Sequence, residues 1–318
     1  MTGGGGIGVR LLKLLAGEAL DLAFSPDGRA LAVTLKYQPH VWLWDLDSPS
    51  PHPAHLDAGG DHPTDLVFSA DGRALAWHVG GLRKVYDRLT GRVVTERFAL
   101  SRLADDVVHS ADGSRVISRH ELPDHCLIGW RAGEQGWVRA WTVSTADLSV
   151  DRLTLSSDGR LFALLARPTL GTRWWDYPLR VEVRDAATAA VRVTAEYPSN
   201  YPARLLFSPD ARQLVGFKDM TLLVWPVSGD LGSLGPPQLI RNDNRKHFTA
   251  MAFHPNGRHL FATSNDTTVH VFDTQTWERR ERYRWQLGNL KAVAISPDGT
   301  LAAAAGHDGD LVIWDLDV

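Results

Sequence analysis

The string His120-Glu121-Leu122-Pro123-Asp124-His125 puts two imidazoles and two carboxylates within six residues, and the chain's one cysteine, Cys126, follows directly. A zinc-binding helix of the protease type needs its histidines four apart so that both face one side; here the gap is five, and Pro123 breaks a helix. No metal site is expected from this string. Neighbours on a strand point to opposite faces, so Cys126 beside His125 reads as a buried packing thiol, not a nucleophile. A diffuse site is the other chemical option. His125, Asp266, His307 and Asp308 occupy equivalent points of a repeat described below, so they could converge as a small-ligand or metal-dependent enzyme site at a channel mouth. Turn aspartates that cap their own backbone account for the same residues. The chain has no Gly-x-Ser-x-Gly elbow, P-loop or paired-cysteine motif. Gly3 to Gly8 has no strand before it and no helix after it, so residues 1–8 read as a disordered tail. No catalytic residue and no cofactor is expected.

Recognition is the other chemistry on offer. Arg173-Trp174-Trp175-Asp176-Tyr177 brings together the residue types that dominate interface hot spots, with Tyr197 and Tyr201 close behind in the chain. Asn242-Asp243-Asn244-Arg245-Lys246-His247 adds polar and basic groups, and Lys218 falls in the adjacent connection. The candidate partner-binding residues are therefore Arg173, Trp174, Trp175, Tyr177, Tyr201, Lys218 and Arg245, and the expected partner is a protein or peptide. Trp174 and Trp175 could instead fold back as a hydrophobic cap.

These segments are positioned by a repeat. A strand-like stretch runs into a turn at Phe24-Ser-Pro-Asp-Gly28, Phe68-Ser-Ala-Asp-Gly72, His109-Ser-Ala-Asp-Gly113, Leu155-Ser-Ser-Asp-Gly159, Phe207-Ser-Pro-Asp-Ala211, Phe253-His-Pro-Asn-Gly257 and Ile295-Ser-Pro-Asp-Gly299. The turn residues Asp27, Asp71, Asp112, Asp158, Asp210, Asn256 and Asp298 are spaced 44, 41, 46, 52, 46 and 42 apart. In the first unit Ala19 to Phe24 reads as one strand, Ser25 to Gly28 as a type I turn ending in a positive-φ glycine, Ala30 to Leu35 as a strand apolar on both faces, and Val41 to Leu46 as a third. A more polar fourth strand follows in later units. Four short antiparallel strands in about 45 residues make a propeller blade, which buries its two apolar faces only by stacking on its neighbours. The seventh unit has three strands before the chain stops, and Val9 to Leu15 is the right length to complete it. The expected fold is therefore all-β: a seven-bladed β-propeller closed by an N-terminal strand.

The third strands end in Trp44-Asp45, Tyr86-Asp87, Trp130-Arg131, Arg184-Asp185, Trp225-Pro226, Phe272-Asp273 and Trp314-Asp315. In this the whole chain, residues 1–318, resembles the WD-repeat family as a single domain. The resemblance implies a rigid, non-catalytic platform for protein partners. It also implies that Asp124, Asp219, Asp266 and Asp308, each six residues before the aromatic, sit in the tight turn between second and third strands and anchor a side-chain network. The Gly-His pair of the family is missing, although His62 and His247 lie near its place, and the fourth unit, with its long connection Arg167 to Leu179, departs most from the pattern.

The totals agree with a platform. With 34 basic and 37 acidic residues and a net charge of -3, neither nucleic acid nor membrane is an expected partner. One cysteine and no signal-peptide pattern point to the cytoplasm, and 28 arginines against 6 lysines suggest a bacterial source. A monomeric ring is expected, with a structural or assembly subunit as a further alternative.

Overall fold

The computed structural model describes residues 8–13, 17–48, 52–60, 62–79, 82–96, 106–110, 112–120, 125–134, 136–169, 179–197, 204–227 and 234–316. They form seven four-stranded antiparallel sheets, the blades of a β-propeller. The chain divides into two compact units. One comprises residues 1–95 and 249–318 and holds blades 1, 2, 6 and 7; the other, residues 96–248, holds blades 3, 4 and 5.

Blade 1 shows how sequence becomes sheet. Its strands are Ala19–Phe24, Ala30–Leu35, His40–Asp45 and Ala54–Asp57, paired in that order. Every residue of Ala30–Leu35 is buried, as an inner strand covered on both faces must be. One core cluster joins Leu31, Val33 and Trp44 of blade 1 to Ala303, Leu311 and Ile313 of blade 7. Another joins Leu165 and Val181 of blade 4 to Leu214, Leu223 and Trp225 of blade 5. The third-strand tryptophans Trp42, Trp44, Trp225 and Trp314 are all core.

The repeated turn has a side-chain mechanism. In six blades the hydroxyl of Ser25, Ser69, Ser110, Ser156, Ser208 or Ser296 donates to the aspartate two residues on, at 2.5–2.7 Å. The same oxygen accepts the backbone N–H five residues on, at 2.8–2.9 Å. The aspartate accepts a second N–H at 2.9–3.1 Å. A buried hydroxyl and the donors of the bend are thereby satisfied together. In blade 6 His254 replaces the serine, and its Nε2 reaches the carbonyl of Gly299 in blade 7 at 3.0 Å. The last position is left-handed in every turn, with φ of 69° at Gly28, and blade 5 places Ala211 there at 56°.

Blade 7 closes as expected. Val9–Lys13 pairs antiparallel with Asp310–Asp315, from Val9 against Trp314 to Lys13 against Asp310. Gly8 belongs to this edge and not to the tail, because its carbonyl accepts the Asp315 N–H at 3.0 Å; residues 1–7 lie outside the described residues. The fourth unit also differs from expectation. Its second strand runs Leu161–Pro168, so Arg167 is within the sheet, where it is buried and meets Asp151 at 2.8 Å. Arg184 stands in place of the third-strand aromatic and is buried against Glu182 at 2.6 Å, with Arg180 on the other carboxylate oxygen at 2.6 Å. An ion pair takes the place of an indole there, a substitution that works only because both charges are matched.

Titration follows from these placements. Asp27, Asp71 and Asp112 are held below the usual carboxylate range, first by the serine hydroxyl and then by a backbone N–H. Their contribution is present above the unfolded value and is lost as pH falls through the folded one. His78, buried on the second strand of blade 2, is pushed down to about 3, first by burial and then by the charge of Arg83, although the Asp65 carboxylate lies 3.9 Å away. Between its ordinary 6.5 and about 3 the unfolded chain binds a proton that the folded chain refuses, so stability falls as pH falls through that window. Urea midpoints measured from pH 7 to 4 are expected to decline, and in His78→Leu the decline becomes shallower whatever the variant's absolute stability. Ala211→Gly relieves a left-handed alanine and is expected to raise stability by about 1 kcal/mol in the same urea measurement.

Candidate partner-binding site

Blade 5 carries two of the sequence-derived binding residues, and its geometry brings them together. Its second strand, Gln213–Lys218, and third strand, Thr221–Pro226, face each other from Gln213 against Pro226 to Lys218 against Thr221, leaving Asp219 and Met220 as a two-residue hairpin tip. Asp219 takes the left-handed φ of 49° that aspartate tolerates better than most residues. The outer strand, Gln238–Arg241, ends beside this tip. Two backbone bonds then stitch the following loop to it: Asn242 N–H to the Met220 carbonyl at 2.7 Å, and Phe248 N–H to the Asp219 carbonyl at 2.8 Å.

The loop has its own clamps. Asn242, 5% exposed, donates through Nδ2 to the Lys246 carbonyl at 2.9 Å, and Asn244 Oδ1 accepts the Lys246 N–H at 2.9 Å. The Arg245 N–H donates to the Asn242 carbonyl at 3.2 Å, and Arg245 itself sits at φ 57°. Between tip and loop lies a cavity of about 510 Å³, lined on one side by Lys218 to Thr221 and on the other by Arg241, Asn242, Asp243 and Arg245. A volume in this range suits a side chain or a short peptide segment. Lys218 and Arg245 thus share one cavity, to which Arg241 adds a third cation. The alternation of the outer strand was the available signal for Arg241, since it falls two residues after the exposed Leu239 and so on the same face.

Other sequence-derived residues fall elsewhere. Arg173, Trp174, Trp175, Tyr177 and Tyr201 lie outside the described residues, as does Asp124. Tyr197 is not a surface anchor: it is 1% exposed, stacks on Trp225 with ring centroids 5.8 Å apart, and donates to the Phe217 carbonyl at 2.6 Å. Burial, and after it the charge of Asp219, pushes its hydroxyl pKa up. Tyr197 therefore holds from beneath the strand end that carries Lys218. Of the turn aspartates, Asp266 accepts from Ser264, Asp219 lies 3.7 Å from His247 Nδ1, and Asp308 lies 3.3 Å from the neighbouring His307.

The metal-like string resolves into structure where it is described. His120 is buried, and its Nε2 is 2.9 Å from Ser118 Oγ, which also accepts the Trp130 indole N–H at 2.8 Å. Cys126 is buried and forms no disulfide. Among the described residues no group of three or more His, Cys, Asp or Glu side chains is arranged to hold a metal, so the channel-mouth reading gains no support. Among them, too, no helix is long and apolar enough to cross a membrane.

Residues 239–273 and 284–315 match the family model described as WD domain, G-beta repeat. These two segments resemble WD repeats. Over 44 residues it is 46% identical to small ribosomal subunit protein RACK1 of Schizosaccharomyces pombe, which is 14% of each chain. Over 67 residues it is 34% identical to the serine-threonine kinase receptor-associated protein of Gallus gallus, 21% of this chain and 19% of that one. The matches thus span less than a fifth of either relative, and both are eukaryotic, so a bacterial source rests on the arginine excess alone. The β-propeller domain of Cps50 (Swd1) from Myceliophteria thermophila is similar over 97% of this chain and 100% of its own, with a TM-score of 0.74 and 18% identity. That likeness shows the fold, and the repeat matches support the WD-repeat family.

Tyr197→Phe leaves the Phe217 carbonyl without its donor and is expected to cost about 1 kcal/mol in urea denaturation, without removing any surface that a partner could touch.

Proposed function

We propose that this chain is a non-catalytic protein-interaction scaffold that presents the loops between second and third strands, and between blades, to a protein or peptide partner. The observation that carries this reading is the blade 5 cavity, where Lys218 of the hairpin and Arg245 of the following loop line one concave site. Rigid sheets hold that site; loops supply its chemistry. The names of the relatives, a ribosomal subunit protein and a receptor-associated protein, are those of proteins that act in assemblies. The reading extends the interface to Arg173, Trp174, Trp175, Tyr177 and Tyr201 as aromatic anchors, and takes the protein as a monomeric platform of the cytoplasm.

A photo-crosslinking amino acid introduced at Lys246 or Trp175 is expected to capture a partner in cells, whereas one at Arg212, beside the Ser208-Asp210 turn at the other end of the strands, is not. Alanines at Arg173, Trp174, Trp175 and Tyr177 together are expected to reduce capture at Lys246 at least about tenfold with unchanged melting. Equal capture from Arg212 overturns the reading.

A further inference from the structure

Three cations, Lys218, Arg241 and Arg245, line the blade 5 cavity against two carboxylates, Asp219 and Asp243. Asp219 already has an imidazole 3.7 Å away in His247. The guanidiniums of Arg241 and Arg245 have no hydrogen bond or ion pair among the described residues, and both side chains are exposed. Planar guanidinium forks pair bidentately with carboxylate or phosphoryl oxygens, so two of them beside one cavity form an anion subsite. Arg245 occupies a left-handed backbone position where glycine or asparagine would cost less, and that strain is held in place by the Asn242 clamp.

Two further observations say what carries the anion. Asn242 is buried, yet its Oδ1 has no donor, although its Nδ2 is bonded to Lys246. An acceptor without a donor beside a cation pair fits a ligand that offers an N–H next to its negative charge, as a peptide backbone does. Met220, 38% exposed at the hairpin tip, and Leu239, 56% exposed on the Arg241 face of the outer strand, flank the cations with apolar surface. An inorganic anion or a nucleotide backbone has no use for that surface. An acidic residue next to an aliphatic one uses all of it.

We propose that the blade 5 cavity recognises an extended peptide through an anionic side chain, a carboxylate or a phosphoryl group, bound by Arg241 and Arg245, with an adjacent aliphatic residue on Met220 and Leu239. The proposal rests on the scaffold reading and names the chemistry of its partner.

The test passes the full chain over peptide libraries with Glu, phosphoserine, Gln or Lys fixed at the centre and randomised flanks. Enrichment of the Glu or phosphoserine library over the Gln library, with Leu, Ile or Met selected beside the fixed residue, is expected. The Glu and phosphoserine arms decide between carboxylate and phosphoryl. In Arg241→Gln/Arg245→Gln the enrichment falls at least about tenfold at unchanged melting temperature, and in Met220→Ala/Leu239→Ala the aliphatic selection is lost while the anionic selection stays. Equal recovery of all four libraries, or undiminished enrichment in the double arginine variant, overturns the proposal. So does tighter binding of a single-stranded oligonucleotide that the peptides fail to displace. Crosslinking from Lys246 together with no anionic preference would leave the scaffold standing and remove this site; anionic selection without a crosslinked protein would do the reverse.

Discussion

A serine hydroxyl shared between an aspartate and the backbone N–H five residues along is the contact on which the sheets depend. It fixes the bend between first and second strands in six blades, and with it the register that places the second strand's side chains in the core. A slip of one residue there would turn Leu31 and Val33 from blade 7 toward blade 2, and Ala30 and Ala32 the other way, so that neither interface would fit. The left-handed residue at the end of each bend completes the geometry, which is why glycine recurs there and why Ala211 is costly. Blade 6 shows that the contact can be replaced by another polar device, since His254 reaches across to Gly299 instead.

Where the repeat abandons its usual side chains, the core demands compensation. Arg184 occupies an aromatic position and is tolerated because its buried guanidinium pairs with the buried carboxylate of Glu182, whose other oxygen takes the more exposed Arg180. Trp130 keeps its indole N–H satisfied through Ser118, which His120 also contacts. Trp314 and Trp225 have no acceptor for theirs among the described residues and are held by packing alone, Trp314 against Tyr283 and Trp285. Polar networks and packing are thus two means to one end, the burial of a large side chain on the third strand, which blade 2 reaches only in part with Tyr86.

The fold was legible because its signals are local. Turn chemistry and apolar runs gave Ala19–Phe24 and Ala30–Leu35 with their observed bounds, and the missing outer strand of the last unit pointed to Val9 to Leu15, within which the strand Val9–Lys13 lies. What eluded the sequence depends on contacts between residues far apart in the chain. Tyr197 reads as a surface aromatic by its place near a connection, yet it continues the alternation of Val193 and Ala195 toward Trp225, a period-two signal that outweighs loop proximity. Arg167 reads as loop because Pro168 and Gly171 follow it, but a partner on the first strand, Asp151, draws it into the sheet. The site was legible in part. Lys218 and Arg245 were reachable from composition and repeat position and Arg241 from the alternation of the outer strand, whereas Met220 and the clamp of Asn242 emerge only when hairpin tip and loop are seen bonded together.

Placement at opposite ends of the strands separates stability from recognition. The Ser208-Asp210 bend of blade 5 closes one end of Gln213–Lys218, and the cavity residues hang from the other. The strain stored at Arg245 is therefore not shared with the bend; it is borne by two backbone bonds and an asparagine within the loop itself. Such a loop can exchange its charged side chains without disturbing the core, since Arg241, Asp243 and Arg245 all point to solvent-exposed surface while Asn242 alone is buried. The same division explains why the turns of this chain repeat and its connections do not: each bend must satisfy identical buried donors, while each connection answers only to whatever it meets outside.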